Sequence, residues 1–135
     1  MNPRYMLDTN ICIYIAKNKP ISVLEKFKTL QVNQIFMSLI TYGELYIGAE
    51  KSQYKQKTLQ KLENLIQIIP VIPMSCAVGS IYGKIRADLE VKGEIIGNND
   101  LWIAAHAIER ELTLVSNNLK EFSRISELSL ENWVQ

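Results

Sequence analysis

Short apolar runs alternate along this 135-residue chain with longer segments whose apolar residues recur at helical spacing. The runs at 5–7, 34–38 and 112–116 are typical of buried strands, and the stretches between them are long enough for helical crossovers. With no repeat and no Pro/Gly-rich linker, the pattern predicts one α/β domain spanning 1–135. Its central sheet is expected to be mainly parallel, with helices on both faces. In such sheets the ligand site lies beyond the carboxyl ends of the strands.

Polar residues at the predicted helix starts indicate where the helices begin. Thr9 or Asn10 can cap a helix over 11–17. Thr41 can cap a later helix, with Glu44 three residues on completing a capping box. Apolar residues at helical spacing predict a further helix over 75–92, and Gly93 is predicted to end it.

Composition places the chain among ordinary globular proteins, with 47% hydrophobic and 21% charged residues. A net charge of +1 gives no global attraction to nucleic acid, so any such partner would need a local basic patch. No apolar run approaches membrane-spanning length, and residues 1–8 do not resemble a secretory signal. Cys12 and Cys76 form no CxxC pair, as expected in a reducing compartment. We therefore expect a cytoplasmic protein without membrane contact.

Asp8 is the most informative acidic residue, because it follows the apolar run 5–7 directly and so lies where a core strand reaches the sheet edge. A simple helix cap explains it equally well. Two other acid-centred families fit less well. A haloacid-dehalogenase phosphatase requires Asp where Asn10 stands, and a phosphoacceptor receiver requires a lysine after the late strand, where Ser116 and Asn117 stand.

Glu44 and Asp100 also have local explanations. Glu44 can belong to the capping box, and Asp100 can favour the start of a helix over 101–110, which Asn98 or Asn99 could cap instead. The fold nevertheless brings the three acids towards one edge, where clustered carboxylates require protons or a cation. Hard oxygen ligands favour Mg²⁺ or Mn²⁺ over zinc, and phosphodiester hydrolysis is the natural chemistry of such a site.

Three further polar residues bear on this site. Ser116 and Asn118, at the end of the late strand, could orient water or phosphate, although ordinary turn chemistry explains them too. His106 is the only histidine. Since it lies six positions after Asp100, it points to another side of the helix and is predicted to be a packing or surface residue, not a base.

A series of short motifs extends over almost the whole chain. They are Met6-Leu7-Asp8-Thr9-Asn10, Glu44-Leu45 followed by Gly48, the run 96–107, Leu112-Thr113-Leu114-Val115-Ser116-Asn117-Asn118, Glu121-Phe122 and Glu131-Asn132-Trp133. Taken in order, these motifs resemble those of PIN-domain nucleases, and those near the carboxyl end narrow the resemblance to the VapC toxins of bacterial toxin–antitoxin pairs.

This resemblance implies a compact α/β/α domain and a magnesium-dependent endoribonuclease, with Mn²⁺ as an alternative metal. By motif, Asp8 and Asp100 correspond to the main metal ligands and Glu44 to the third acid. Ser116 stands where the family more often has Thr, and it keeps the hydroxyl. Asn118 stands where many PIN domains carry a fourth acid. Because its amide is neutral, the resemblance does not decide whether a second metal ion binds.

The resemblance also implies partners: a cognate antitoxin, an RNA substrate, a toxin homodimer and a toxin–antitoxin hetero-oligomer. Some relatives cleave a tRNA, notably initiator tRNA in the anticodon region. Two alternatives stay open at this point. One is a PIN-like module that binds RNA or protein without cleaving, and the other is a metal-dependent nuclease that acts on DNA.

Overall fold

The computed structural model describes residues 4–135, and within them five parallel strands form one sheet. The strands are β1 (Tyr5–Leu7), β2 (Ile35–Ser38), β3 (Val71–Ile72), β4 (Thr113–Val115) and β5 (Leu130–Glu131). Their order in the sheet is β3-β2-β1-β4-β5, and the two outer strands, β3 and β5, are only two residues long. This arrangement confirms the predicted α/β class and the parallel sheet.

Helices connect these strands, and a short 3-10 helix, Val32–Gln34, leads into β2. No helix in the described part of the chain combines the length and hydropathy needed to cross a membrane. The helices are α1 (Thr9–Ala16), α2 (Ile21–Lys28), α3 (Leu39–Glu50), α4 (Lys55–Ile68), α5 (Cys76–Lys92), α6 (Asn98–Glu109) and α7 (Leu119–Phe122).

The sheet separates two apolar cores. Because side chains alternate along a strand, Met6 and Leu114 face the core that lies against α5 and α6. Their neighbours Leu7 and Val115 face the opposite core, against α1 and α4. All three residues of β1 are buried, as expected for a central parallel strand covered on both faces.

The first helix begins earlier than predicted. It starts at Thr9, and the Asp8 carboxylate caps it by accepting a hydrogen bond from the backbone N–H of Ile11 at 3.0 Å. The prediction that Thr9 or Asn10 caps this helix is therefore wrong. The reason is that β1 passes into α1 without a loop, so the strand-end residue is already in the capping position.

The predicted capping box on α3 is also wrong. The helix starts at Leu39, and the Ser38 hydroxyl caps it by accepting from the N–H of Ile40 at 3.1 Å. Thr41 is fully buried inside the helix, and Glu44 lies in its middle. Glu44 consequently has no capping role, which leaves its carboxylate available for other contacts.

The two ends of the α5–α6 connection differ in how well they were predicted. Gly93 ends α5 in the left-handed conformation with φ 68°, as predicted. The next helix begins at Asn98 after Gly97, and no side chain caps it, so the capping role predicted for Asn98 or Asn99 is wrong. Asp100 is the third residue of α6.

Candidate active site

Asp8 lies at the carboxyl end of β1 and is only 6% exposed. Besides the Ile11 N–H, its carboxylate is hydrogen-bonded to the side chain of Ser116, which follows β4. Burial raises the pKa of Asp8 above its usual value, and the charge of Glu44 adds to this rise. The hydrogen bonds from Ser116 and the backbone act in the opposite direction. Asp8 is thus a buried acid whose ionised form depends on a few specific donors.

Asp100 faces Asp8 from the first turn of α6 and is half-buried. Burial, followed by the charges of Asp8, Glu121 and Glu44, raises its pKa from 3.8 to about 6. Three other carboxylates therefore act on the Asp100 carboxylate. The structure brings the three predicted acids into one electrostatic cluster and adds Glu121 as a fourth.

Glu44 reaches this cluster from the middle of α3 and is held by residues of two other helices. The Thr9 hydroxyl donates a hydrogen bond to Oε1 of Glu44 at 2.5 Å, and the Asn99 amide donates to Oε2 at 3.3 Å. Thr41 Oγ1 lies 3.3 Å from the Thr9 hydroxyl oxygen, within hydrogen-bond distance. The sequence indicates Thr9 and Asn99 only as helix caps, and nothing in the local sequence indicates that they bind Glu44.

Ser116 and Asn118 lie at the same edge but contact protein groups. The buried Ser116 hydroxyl oxygen accepts from the backbone N–H of Asn118 at 2.9 Å, in addition to its bond with Asp8. The Asn118 amide donates to Oε2 of Glu121 at 2.6 Å. Ser116 therefore orients Asp8, and Asn118 orients Glu121.

Glu121 is the acid that reasoning from the sequence did not select as a site residue. It belongs to α7, the short helix that follows β4. A carboxylate on the first turn after a strand that ends at the site is a signal that could have identified it. Although Asn118 is neutral, Glu121 supplies a carboxylate next to it.

The donor set suits a hard divalent cation. Within residues 4–135, no three acidic, histidine or cysteine side chains are arranged as a complete set of ligands for one ion. Mg²⁺ does not need such a set, because it keeps several waters and usually takes only one or two protein carboxylates. Asp8 and Asp100 can supply two, and a cation between them would relieve the repulsion that raises the pKa of Asp100.

His106 lies outside this cluster, as predicted. Its ring is fully buried, with Nδ1 2.8 Å from the Ser38 hydroxyl and Nε2 donating to the Pro73 carbonyl at 3.2 Å. Burial lowers the pKa of His106, which favours the neutral ring. The residue joins α6 to the end of β2 and to the segment before α5, so it is a packing histidine.

Comparison with known proteins gives the family. The PIN-domain family model matches residues 5–128. Ribonuclease VapC2 of Haemophilus influenzae is 42% identical over 131 residues, which are 97% of this chain and 98% of that protein. The tRNA(fMet)-specific endonuclease VapC of Shigella flexneri is 42% identical over 130 residues, covering 96% and 98% of the two chains.

A solved structure agrees with these sequence relatives. The structure of VapBC2 from Rickettsia felis, bound to a DNA fragment from the promoter, contains a chain with 44% identity and a TM-score of 0.89, covering 96% of this chain and 98% of that one. Fold, ordered motifs and sequence identity over nearly the full length agree, and the chain therefore belongs to the PIN-domain family, within its VapC ribonucleases.

Proposed function

We propose that residues 1–135 act as one nuclease domain, the toxin of a toxin–antitoxin pair, which uses Mg²⁺ to hydrolyse RNA phosphodiester bonds. PIN-domain ribonucleases of the VapC kind are generally metal-dependent. The observation that carries the proposal is the cluster of four carboxylates around Asp100, whose pKa is raised first by burial and then by the charges of its three neighbours. Such a cluster is unfavourable in an empty protein, and a bound cation removes the penalty.

Asp8 and Asp100 are the proposed metal ligands, and the hydrogen bond from Ser116 keeps the Asp8 carboxylate oriented for this role. When bound, Mg²⁺ would supply Lewis-acid activation of water and of the phosphate. Glu121, held by Asn118, adds negative charge that acts on Asp100. Ser116 and Asn118 thus contribute by positioning two carboxylates.

Glu44 is the proposed proton acceptor for the attacking water. Hydrolysis forms a bond from the water oxygen to phosphorus and breaks the bond from phosphorus to the ribose oxygen of the neighbouring nucleotide. One proton leaves the attacking water, and the departing ribose oxygen takes up a proton from solvent to become a hydroxyl. The Glu44 carboxylate is oriented by Thr9 and Asn99 and has no role in capping α3. A fixed carboxylate beside the metal ligands is suited to take that proton.

The substrate and the partner are proposed from the relatives. The Shigella flexneri relative is named as specific for tRNA(fMet), and we extend that target class to this chain. The VapBC2 structure supports a cognate antitoxin as partner, and we extend to this chain the inhibition that the family resemblance implies. Exposed apolar side chains on α3, Ile47 at 58% and Tyr46 at 39%, provide surface for a protein partner.

The test is cleavage by Asp8→Asn and Asp100→Asn variants. Substituting a residue that merely supports a metal ligand commonly costs 10- to 100-fold, so losing a ligand should lower RNA cleavage by more than about 100-fold. The matched control is Asp88→Asn, because Asp88 is exposed on α5 and forms an ion pair with Lys92. We expect the control to cleave at the wild-type rate and all variants to retain the wild-type circular dichroism spectrum.

Matched RNA and DNA oligonucleotides, each with Mg²⁺ and with a chelator, separate the alternatives. RNA cleavage that stops with the chelator supports the proposal. Cleavage of DNA alone would identify a DNA nuclease, and RNA binding without cleavage would identify a binding module. Sequencing RNA fragments after brief expression then reports whether the cleaved RNA is initiator tRNA.

A further inference from the structure

Beside the carboxylate cluster, Arg86 of α5 reaches across to the first turn of α6. Its Nη1 donates to the Tyr82 hydroxyl at 2.7 Å and to the Asn98 side-chain oxygen at 3.2 Å, and its Nε donates to Glu90 at 2.9 Å. Asn98 is the first residue of α6, two positions before Asp100. The next residue, Asn99, donates to Oε2 of Glu44 at 3.3 Å, so two consecutive residues at the start of α6 contact Arg86 and the carboxylate cluster.

The contacts hold the Arg86 side chain in one place. Tyr82, which accepts from Nη1, is stacked on Trp102 of α6 with ring centroids 3.8 Å apart and planes inclined by 7°. The Tyr82 hydroxyl also donates to the Asn98 side chain, so both partners of Nη1 are themselves fixed. An arginine normally loses considerable rotamer freedom when it binds a ligand, and here that freedom is already restricted.

Part of the guanidinium remains available. It has five N–H donors, and the hydrogen bonds described above use only Nε and Nη1. Within residues 4–135, no group accepts a hydrogen bond from Nη2, and 45% of the side chain is exposed. The Glu90 side chain is 54% exposed, so solvent screens its ion pair with Arg86, and this pair holds the arginine only weakly. Arg86 therefore presents an oriented cation with unused donors.

The carboxylate cluster makes such a cation useful. Asp8, Glu44, Asp100 and Glu121 together carry a formal charge of −4 when ionised, and one divalent cation leaves −2. An RNA chain that approaches this cluster is repelled unless positive charge lies nearby. Arginine is well suited to this task, because its planar donors match phosphate oxygens.

We propose that Arg86 forms a phosphate subsite, in which Nη2 binds the RNA phosphate next to the one that is cleaved. This inference rests on the proposed function and extends it from the reacting atoms to the binding of the RNA backbone. Arg86 contacts the substrate without taking part in bond breaking. Tyr82 and Asn98 position its guanidinium.

The test measures binding of an RNA oligonucleotide in the presence of a chelator, so that no cleavage occurs, over a series of salt concentrations. Arg86→Gln is expected to weaken binding about 10- to 100-fold, as for the loss of one charge-assisted contact. One phosphate contact on a single strand contributes about 0.7 to the slope of log affinity against log salt, so the slope should fall by about 0.7. The matched control is Lys84→Gln, which removes one exposed charge from the same helix.

The proposal requires that the loss of Arg86 weakens RNA binding more than the loss of another exposed positive charge on the same helix. If Arg86→Gln and Lys84→Gln weaken binding equally, the subsite does not exist. Arg86→Lys keeps the charge and should restore the salt slope, and a slope still reduced by about 0.7 would also contradict the proposal. Thermal unfolding confirms that each variant is folded. If RNA binding depends on Arg86 while the Asp8→Asn variant still cleaves RNA, the assignment of Asp8 as a metal ligand is wrong. If cleavage requires Asp8 but RNA binding does not change in Arg86→Gln, only the phosphate subsite is refuted.

Discussion

At the scale of single residues, the site combines groups whose arrangement opposes folding. Asp100 is half-buried beside three other carboxylates, and its pKa is raised to about 6. A raised pKa means that the folded protein binds the Asp100 proton more tightly than the unfolded chain does. The stabilising effect of that proton is complete below the ordinary value of 3.8 and is lost as the pH rises through about 6. At neutral pH the ionised carboxylate therefore destabilises the metal-free fold.

Asp100→Asn is accordingly expected to stabilise the metal-free protein at pH 7.5 while it abolishes cleavage. Allowing for solvent screening of this half-exposed group, the gain is about 1–2 kcal/mol. That corresponds to a rise of about 3–8 °C in the midpoint of thermal unfolding. The measurement is thermal unfolding in a chelator at pH 7.5 and pH 4. At pH 4 the difference should largely disappear, because Asp100 is then protonated in the wild type.

The control for this effect is Asp88→Asn, which removes an exposed carboxylate paired with Lys92 and should change the midpoint by no more than about 2 °C at either pH. A lower midpoint for Asp100→Asn at pH 7.5 would mean that the Asp100 carboxylate makes favourable contacts that outweigh the repulsion.

At the scale of elements, the end of α5 determines where α6 begins, and α6 carries both Asp100 and the Arg86 contact at Asn98. Gly93 ends α5 with φ 68°, a conformation that L-residues with a Cβ adopt only at a cost. A Cβ placed on Gly93 would meet no atom within 4 Å, so the cost of a side chain there is confined to the backbone. Gly79, inside the same helix, has equally open surroundings.

Two alanine substitutions in α5 are therefore expected to act in opposite directions. Gly93→Ala should lower the free energy of unfolding by about 1 kcal/mol because of its left-handed backbone. Gly79→Ala should raise it by about 0.5–1 kcal/mol, since alanine is the better helix former. Urea denaturation of both variants measures the two changes. Equal effects of the same sign would show that the φ of Gly93 does not determine how α5 ends.

At the scale of the whole molecule, the sheet separates two cores that must form together. Ile11 is fully buried in the core on the α1 side, and Ile103 is 1% exposed in the core on the α6 side. The two residues share no core, although both cores are built on the same strands. Their energies should therefore be independent, while unfolding remains a single transition.

Ile11→Val and Ile103→Val are each expected to lower the free energy of unfolding by about 0.5–1.5 kcal/mol. The double variant should lose the sum of the two within about 0.5 kcal/mol, with an unchanged dependence on urea concentration. Urea denaturation of the single and double variants tests this. A coupling larger than about 0.5 kcal/mol would show that strain passes through the sheet from one core to the other.

The sequence by itself was sufficient for the α/β class, the parallel sheet, the glycine that ends α5 and the position of His106 on a side of α6 away from Asp100. Each of these depends on short-range periodicity or on a single residue's backbone preference, and both can be read locally. The local pattern also singled out Asp8, because an acid directly after a buried apolar strand is unusual. It failed for the caps of α1 and α3, since the capping residue depends on where the preceding strand stops.

Only the tertiary structure decided how the acids relate to one another. Asn99 and Glu44 are 55 positions apart, and the Thr9 hydroxyl meets Glu44 across 35. Glu121 joins the cluster from the short helix after β4, and Arg86 of α5 contacts Asn98 at the start of α6. Coulombic repulsion and hydrogen bonding act through space and not along the chain. The shared field that raises the pKa of Asp100 therefore exists only once the ends of β1 and β4 and the starts of α6 and α7 have been brought together.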